Sequence, residues 1–178
     1  GSADTPYGED DPLSPLGVYG KTKAESEALM QSAGIDGWII RTSWLFSPYG
    51  NNFVKTIFSL LQNKDEINVV ADQTGSPTYA IDLAAATLKA LEQKPVFDWV
   101  KVYHYTNTGH TTWYGLALAI QQQINTPCQI HAVDTANYPT KAKRPKYSVL
   151  GCEKIKKEFN LNPQVWESAL KDCLKKIG

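Results

Sequence analysis

Cysteine and arginine are both scarce in this sequence. The three cysteines, Cys128, Cys152 and Cys173, are odd in number and far apart, with no Cys-x-x-Cys spacing. That pattern argues against a disulfide framework or a thiolate zinc site, and it fits reduced core thiols in a cytoplasmic protein. Only two arginines, Arg41 and Arg144, stand among the lysines, and eighteen basic residues balance eighteen acidic ones. No basic run forms a stripe, so nucleic acid is not an expected partner. No apolar run is long enough to span a bilayer, and no signal-peptide pattern is present, so a membrane is not expected either. The lysines near the C-terminus (Lys154, Lys156, Lys157, Lys171, Lys175, Lys176) alternate with apolar residues and read as the wet faces of helices.

What remains is an ordinary globular composition. The chain has 178 residues, 42% of them hydrophobic, enough for one domain that buries about 70% of its unfolded surface. Residues 1–17 hold four acids and three prolines and read as an N-terminal loop. A helix is expected from Val18 to about Ala33, stopped by Gly34-Ile35-Asp36-Gly37. Trp38-Ile39-Ile40 suits a buried strand, followed by a loop at Ser47-Pro48-Tyr49-Gly50-Asn51. Phe53, Ile57, Leu60 and Leu61 share one helical face. Ile67 to Ala71 and Cys128 to Val133 read as strands, and Val100 to Tyr105 alternates as a strand does. Asp82 is expected to cap a helix through Leu91 with Ala84, Leu88 and Leu91 inward. Trp113, Leu116, Ala117, Ile120 and Ile124 form a further helical stripe. The most regular one is C-terminal: Trp166, Ala169, Leu170, Cys173, Leu174 and Ile177. Strands and helices alternate throughout, so the fold class is α/β.

One pair carries chemistry. Tyr19 and Lys23 lie four residues apart on the first expected helix, which sets phenol and ammonium side by side. A neighbouring cation favours phenolate, and such a tyrosine can hand a proton to a carbonyl oxygen as a general acid. Alone the pair is uninformative, since about 0.8 chance matches are expected from the Tyr and Lys content.

The blocks that follow it add weight. Tyr19-Gly20-Lys21-Thr22-Lys23-Ala24-Glu25 precedes Arg41-Thr42-Ser43-Trp44-Leu45-Phe46 and Gly50-Asn51-Asn52-Phe53-Val54-Lys55-Thr56. Then come Asp72-Gln73-Thr74-Gly75-Ser76-Pro77-Thr78-Tyr79, Thr111-Thr112-Trp113-Tyr114 and Arg144-Pro145-Lys146-Tyr147-Ser148. From about Pro6 to the C-terminus, this series resembles the dTDP-4-dehydrorhamnose reductases of the extended short-chain dehydrogenase/reductase superfamily. The resemblance implies a partial Rossmann-like sheet with the smaller C-terminal substrate-binding domain, residues 18–178 forming one unit with the active-site helix. It implies NADPH-dependent reduction of the 4-keto group of dTDP-4-dehydro-6-deoxy-L-mannose to dTDP-L-rhamnose, a step toward cell-surface polysaccharide such as O-antigen. Tyr19 becomes the proton donor and Lys23 its activator and ribose ligand. Thr42 and Ser43 lie beside the nicotinamide. Trp44 packs on the sugar, and Asn52, Gln73 and Arg144 are substrate-side polar groups, Arg144 because a guanidinium suits a diphosphate.

Several alternatives stay open at this stage. Asn52 is equally suited to capping the helix at Phe53 and Arg144 to a surface cation, Trp44 is also suited to core packing after a buried strand, and Arg41 is better suited to bracing a strand end, Trp113 and His104 to core packing. No Gly-x-x-Gly-x-x-Gly spacing occurs among the twelve glycines, so no loop is expected here to seat a pyrophosphate on backbone N–H groups. With only 18 residues before Tyr19, the chain is expected to be a C-terminal fragment lacking an N-terminal Rossmann cofactor-binding half, its natural partner, and to be inactive alone. Self-association into a homodimer is a further expectation. The rival functions are another sugar-nucleotide epimerase or dehydratase of the superfamily, or a non-catalytic regulatory subunit.

Overall fold

The computed structural model describes residues 3–93, 95–96, 98–138 and 144–177. Helix α1 (Val18–Ser32) opens the regular structure, and Gly34, with φ of +64°, supplies the left-handed residue that turns the chain after it. Strands β1 (Gly37–Arg41) and β2 (Leu45–Phe46) follow, then α2 (Phe53–Asn63), β3 (Glu66–Val70), β4 (Thr74–Gly75) and β5 (Thr78–Tyr79). Helix α3 (Ala80–Glu92), β6 (Val100–His104), β7 (Thr111–Thr112), α4 (Trp113–Ile124) and β8 (Gln129–Val133) come next. A 3-10 turn (Thr135–Asn137), β9 (Tyr147–Ser148), α5 (Glu153–Phe159) and α6 (Trp166–Leu174) complete the chain. Asn125 and Asn160 end α4 and α5 in the left-handed conformation, where Asn is the best-tolerated non-glycine residue.

The strands form small groups. β1 pairs with β6, β2 with β5 and β3 with β8, each in parallel. β4 lies between β7, antiparallel, and β9, parallel. The parallel pairs join segments far apart in sequence through intervening helices, as an α/β fold requires. Two cores result. In the larger one, Val54, Ile57 and Leu61 of α2 meet Leu116, Ala117 and Ile120 of α4 and Trp166, Ala169, Leu170, Cys173 and Leu174 of α6. The smaller one gathers Ala86 and Ala90 of α3, Tyr103 and Tyr105, and Cys152, Ile155 and Phe159 around α5.

Two expectations about α3 are corrected. Its N-cap is Tyr79, not Asp82; Asp82 sits in the first turn, and its carboxylate accepts from Asn107 Nδ2 (2.6 Å) and Gln164 Nε2 (2.9 Å). The inward face is also rotated. Ala86 and Ala90 are buried, whereas Ala84, Leu88 and Leu91 are exposed, Leu88 at 62%. The small alanines let the helix close on the bulky Tyr103 and Tyr105, so residue volume on the opposing strand outweighed the hydrophobic stripe.

Residues 3–17, the described part of the N-terminal segment, form no helix or extended strand, but they are fastened. Tyr7 N–H donates to the Val149 carbonyl (2.9 Å) and Gly151 N–H donates to the Tyr7 carbonyl (2.8 Å). Helix α1, by contrast, contributes no buried residue; Val18, Tyr19 and Leu29 are all more than two-thirds exposed. Among the described residues, no helix is long and apolar enough to cross a membrane.

The rotated face of α3 gives a direct check. Leu88→Ala should change the stability by no more than about 0.5 kcal/mol, as exposed substitutions do. Ala90→Leu should cost about 1–3 kcal/mol by overpacking the smaller core. Urea melts of the two variants measure this, and a costly Leu88→Ala would restore the original face.

Candidate functional site

Tyr19 and Lys23 lie together on the first turns of α1, with Lys23 Nζ 5.5 Å from the centroid of the Tyr19 ring. Both groups are solvent-facing. Their helix is held against β1 by a fork: Arg41 Nε donates to Glu27 Oε1 (2.9 Å) and Arg41 Nη2 donates to Glu27 Oε2 (2.7 Å). Paired donors on one carboxylate fix direction as well as distance. Arg41 Nη1 also donates to the Glu9 carbonyl (3.2 Å) and reaches His104 Nε2 (3.4 Å). Arg41 thus braces the strand end. His104 is buried: its Nδ1 donates to the Tyr7 carbonyl (3.2 Å), and its backbone N–H donates to Glu9 Oε1 (3.0 Å). Burial holds its imidazole below the ordinary value, Arg41 adding to the depression against the opposing charge of Glu9. It is a neutral packing residue.

Beyond Arg41 the chain enters the second part of the site. Thr42 Oγ1 is buried and has no hydrogen-bond partner among the described residues. Ser43 Oγ donates to the Ser76 carbonyl (2.8 Å). Trp44 takes φ of +46°, a left-handed backbone that a bulky residue rarely adopts and that costs about 1–3 kcal/mol. Three contacts hold it there. Its carbonyl accepts from Thr78 N–H (3.1 Å). Its indole stacks on Trp113 with centroids 3.5 Å apart and planes 7° from parallel. The Nε1–Cε2 side of the indole lies so close to Gly75 that a Cβ there would collide with it and with Ser148 Oγ.

The remaining expected residues divide. Asn52 is the N-cap of α2: its Oδ1 accepts from Lys55 N–H (3.2 Å) and its Nδ2 donates to the Ser47 carbonyl (2.7 Å). The capping alternative accounts for its side chain. Gln73 is 3% exposed, and both ends of its amide are used internally. Its Nε2 donates to Thr135 Oγ1 (2.9 Å) and its Oε1 accepts from Trp113 Nε1 (3.2 Å). Arg144 is exposed, two residues before the Lys146 carbonyl that accepts from Thr74 N–H (2.8 Å). It therefore stands just before β9, the strand paired with β4 and its Gly75. Among the described residues, no hydrogen bond or ring contact joins the Tyr19–Lys23 pair to Trp44; the link is the strand whose end Arg41 ties to α1.

Sequence reasoning left Trp113 to the core and passed over Gly75 and Thr135 as individual residues. Gly75 belongs to the Asp72–Tyr79 block, and that block is its signal. Thr135, 62 residues from Gln73, had none.

An α/β fold with a Tyr–Lys pair on one helix and a strained tryptophan beyond the adjoining strand defines the class as short-chain-reductase-like. A family profile described as the RmlD substrate binding domain matches residues 1–178, and the chain belongs to that family. It is 43% identical over 174 residues to a dTDP-4-dehydrorhamnose reductase of Aggregatibacter actinomycetemcomitans, covering 93% of this chain and 59% of that protein. It is 41% identical to the spore coat polysaccharide biosynthesis protein SpsK of Bacillus subtilis, covering 98% of this chain and 59% of the other. A solved dTDP-4-dehydrorhamnose reductase from Bacillus anthracis in complex with NADP superposes with a TM-score of 0.88 at 34% identity, covering 97% and 60% of the two chains. The chain thus spans less than two-thirds of the length of these relatives. The expectation of a resemblance starting near Pro6 in a C-terminal fragment is corrected: the family match begins at residue 1 and takes in the whole sequence.

The close approach at Gly75 is testable. Gly75→Ala should cost about 1–3 kcal/mol in urea melts, because the indole or Ser148 must move. Gly37→Ala, with nothing within 4 Å of its added carbon, should cost far less. Equal effects would mean that the Trp44 contact imposes no constraint.

Proposed function

We propose that this chain forms the sugar-nucleotide side of an NADPH-dependent reductase that converts dTDP-4-dehydro-6-deoxy-L-mannose to dTDP-L-rhamnose. The observation that carries the reading is the placement of the exposed Tyr19–Lys23 pair on a helix braced to the strand that leads to Trp44. Similarity to dTDP-4-dehydrorhamnose reductases across nearly the whole chain supports it.

The Tyr19 phenol donates its proton to the sugar O4 as C4 is reduced, and the Lys23 ammonium stabilises the phenolate left behind. Trp44 offers an aromatic wall to the sugar ring, one face of its indole being covered by Trp113. Arg144, exposed just before β9, supplies a fork for the diphosphate. NADPH supplies the hydride when bound. The nicotinamide end fits the residues present: Lys23 is free to reach its ribose, and the buried, unpartnered Thr42 Oγ1 beside Ser43 is a polar group in want of a partner. The pyrophosphate end finds no glycine-rich turn in the sequence. We therefore expect this chain by itself to bind the sugar nucleotide but to hold NADPH weakly and show no turnover. Three buried thiols fit a cytoplasmic setting.

Calorimetric titration tests the reading. A dTDP-sugar should bind, Trp44→Ala should weaken it by about thirtyfold, the scale of a buried aromatic anchor, and NADPH should give little heat. Absence of dTDP-sugar binding would sink the substrate reading, and tight NADPH binding would place a complete cofactor site in these residues. A homodimer is proposed as the assembly. Light scattering at high concentration should show twice the mass of one chain, and a monodisperse monomer would refute it.

A further inference from the structure

The polar chain behind Trp113 has a fixed direction. Asp72 Oδ1 accepts from both Thr135 N–H (2.9 Å) and Thr135 Oγ1 (2.6 Å). The hydroxyl proton is therefore committed to the carboxylate, and Thr135 Oγ1 is left with lone pairs only. Those lone pairs take the N–H of Gln73 Nε2 at 2.9 Å. The amide can then face Trp113 with its oxygen alone, and Trp113 Nε1, which can only donate, meets it at 3.2 Å. Reversing the amide would set N–H against N–H at one end and oxygen against oxygen at the other. The same bonds, that from the Thr135 hydroxyl above all, draw the Asp72 carboxyl below its ordinary value, which keeps it an acceptor at neutral pH.

Trp113 is held at its other end as well. It is the first residue of α4, whose N-cap Thr112 accepts from Gly115 N–H (3.0 Å). With the backbone set by the cap and the indole rotated into place by Gln73, the plane of Trp113 is determined. Trp44 stacks on that plane and has little other choice, because Gly75 blocks its Nε1–Cε2 side.

We infer that Asp72, Thr135 and Gln73 are positioning residues that set the orientation of Trp44 through Trp113, and so tune sugar-nucleotide affinity without touching the ligand. The inference rests on the proposed role of Trp44. It makes the turn after β8 a determinant of a site to which it contributes no surface.

The test uses Thr135→Val, which keeps the volume and loses the hydroxyl, Thr135→Ser, which keeps the hydroxyl, and Gln73→Met, which keeps the length and loses both bonds. The circular-dichroism exciton couplet of the stacked indoles, assigned by its loss in Trp113→Phe, reports the orientation with no ligand present. Titration with a dTDP-sugar reports the consequence, and thermal melts identify any variant that fails to fold. Thr135→Val and Gln73→Met should each weaken the couplet and lower the affinity about three- to tenfold, the equivalent of one buried hydrogen bond. Thr135→Ser should retain both. An unchanged couplet in Thr135→Val and Gln73→Met overturns the inference, as does a lost couplet with unchanged affinity, or a Thr135→Ser that behaves like Thr135→Val. If the unsubstituted protein binds no dTDP-sugar but the couplet follows the predicted pattern, the orienting network stands and the substrate reading fails.

Discussion

Trp44 occupies a backbone conformation that a residue of its size avoids, and much of the neighbouring structure serves to keep it there. The cost of a left-handed tryptophan, about 1–3 kcal/mol, is offset by a stacked aromatic pair, a backbone hydrogen bond from Thr78 and the packing of the larger core on which Trp44 and Trp113 rest. Strain of this kind survives only where surrounding contacts over-determine the position. Here those contacts come from β4, β5 and α4, three elements that converge only after the chain has folded.

The same logic explains the two cores. The larger one, among α2, α4 and α6, is built from long apolar side chains in regular stripes and gives a rigid base for the Trp113 end of the site. The smaller one fixes α3 and α5 on β6 and so holds the partner strand of β1. Helix α1 depends on neither. Its position comes from the Arg41–Glu27 fork, a charge-assisted contact made by one of only two arginines in the chain. A partly buried bidentate pair specifies direction well, and it leaves Tyr19 and Lys23 exposed on α1.

Features set by neighbouring residues were legible in the sequence. The limits of α1, the stripes of α2, α4 and α6 and the adjacency of Tyr19 and Lys23 all depend on side chains within a few positions of one another. Helical periodicity and local hydrogen bonds act over that range, and the blocks that pointed to the family are local strings as well. The short strands β2, β4, β5, β7 and β9 were not legible, because two residues carry no periodicity.

Tertiary structure alone decided the rest. The inward face of α3 was set by Tyr103 of the following strand, β6, and by Tyr105 just beyond it, which face the helix only once the smaller core forms. Gln73 reads as an available polar side chain until Trp113, 40 residues away, and Thr135, 62 away, close on its two ends. A hydrogen-bonding residue has the same inventory of donors and acceptors wherever it lies in the sequence. Whether those groups face a ligand or another side chain depends on which distant segments pack around them, and that is fixed only when the cores form.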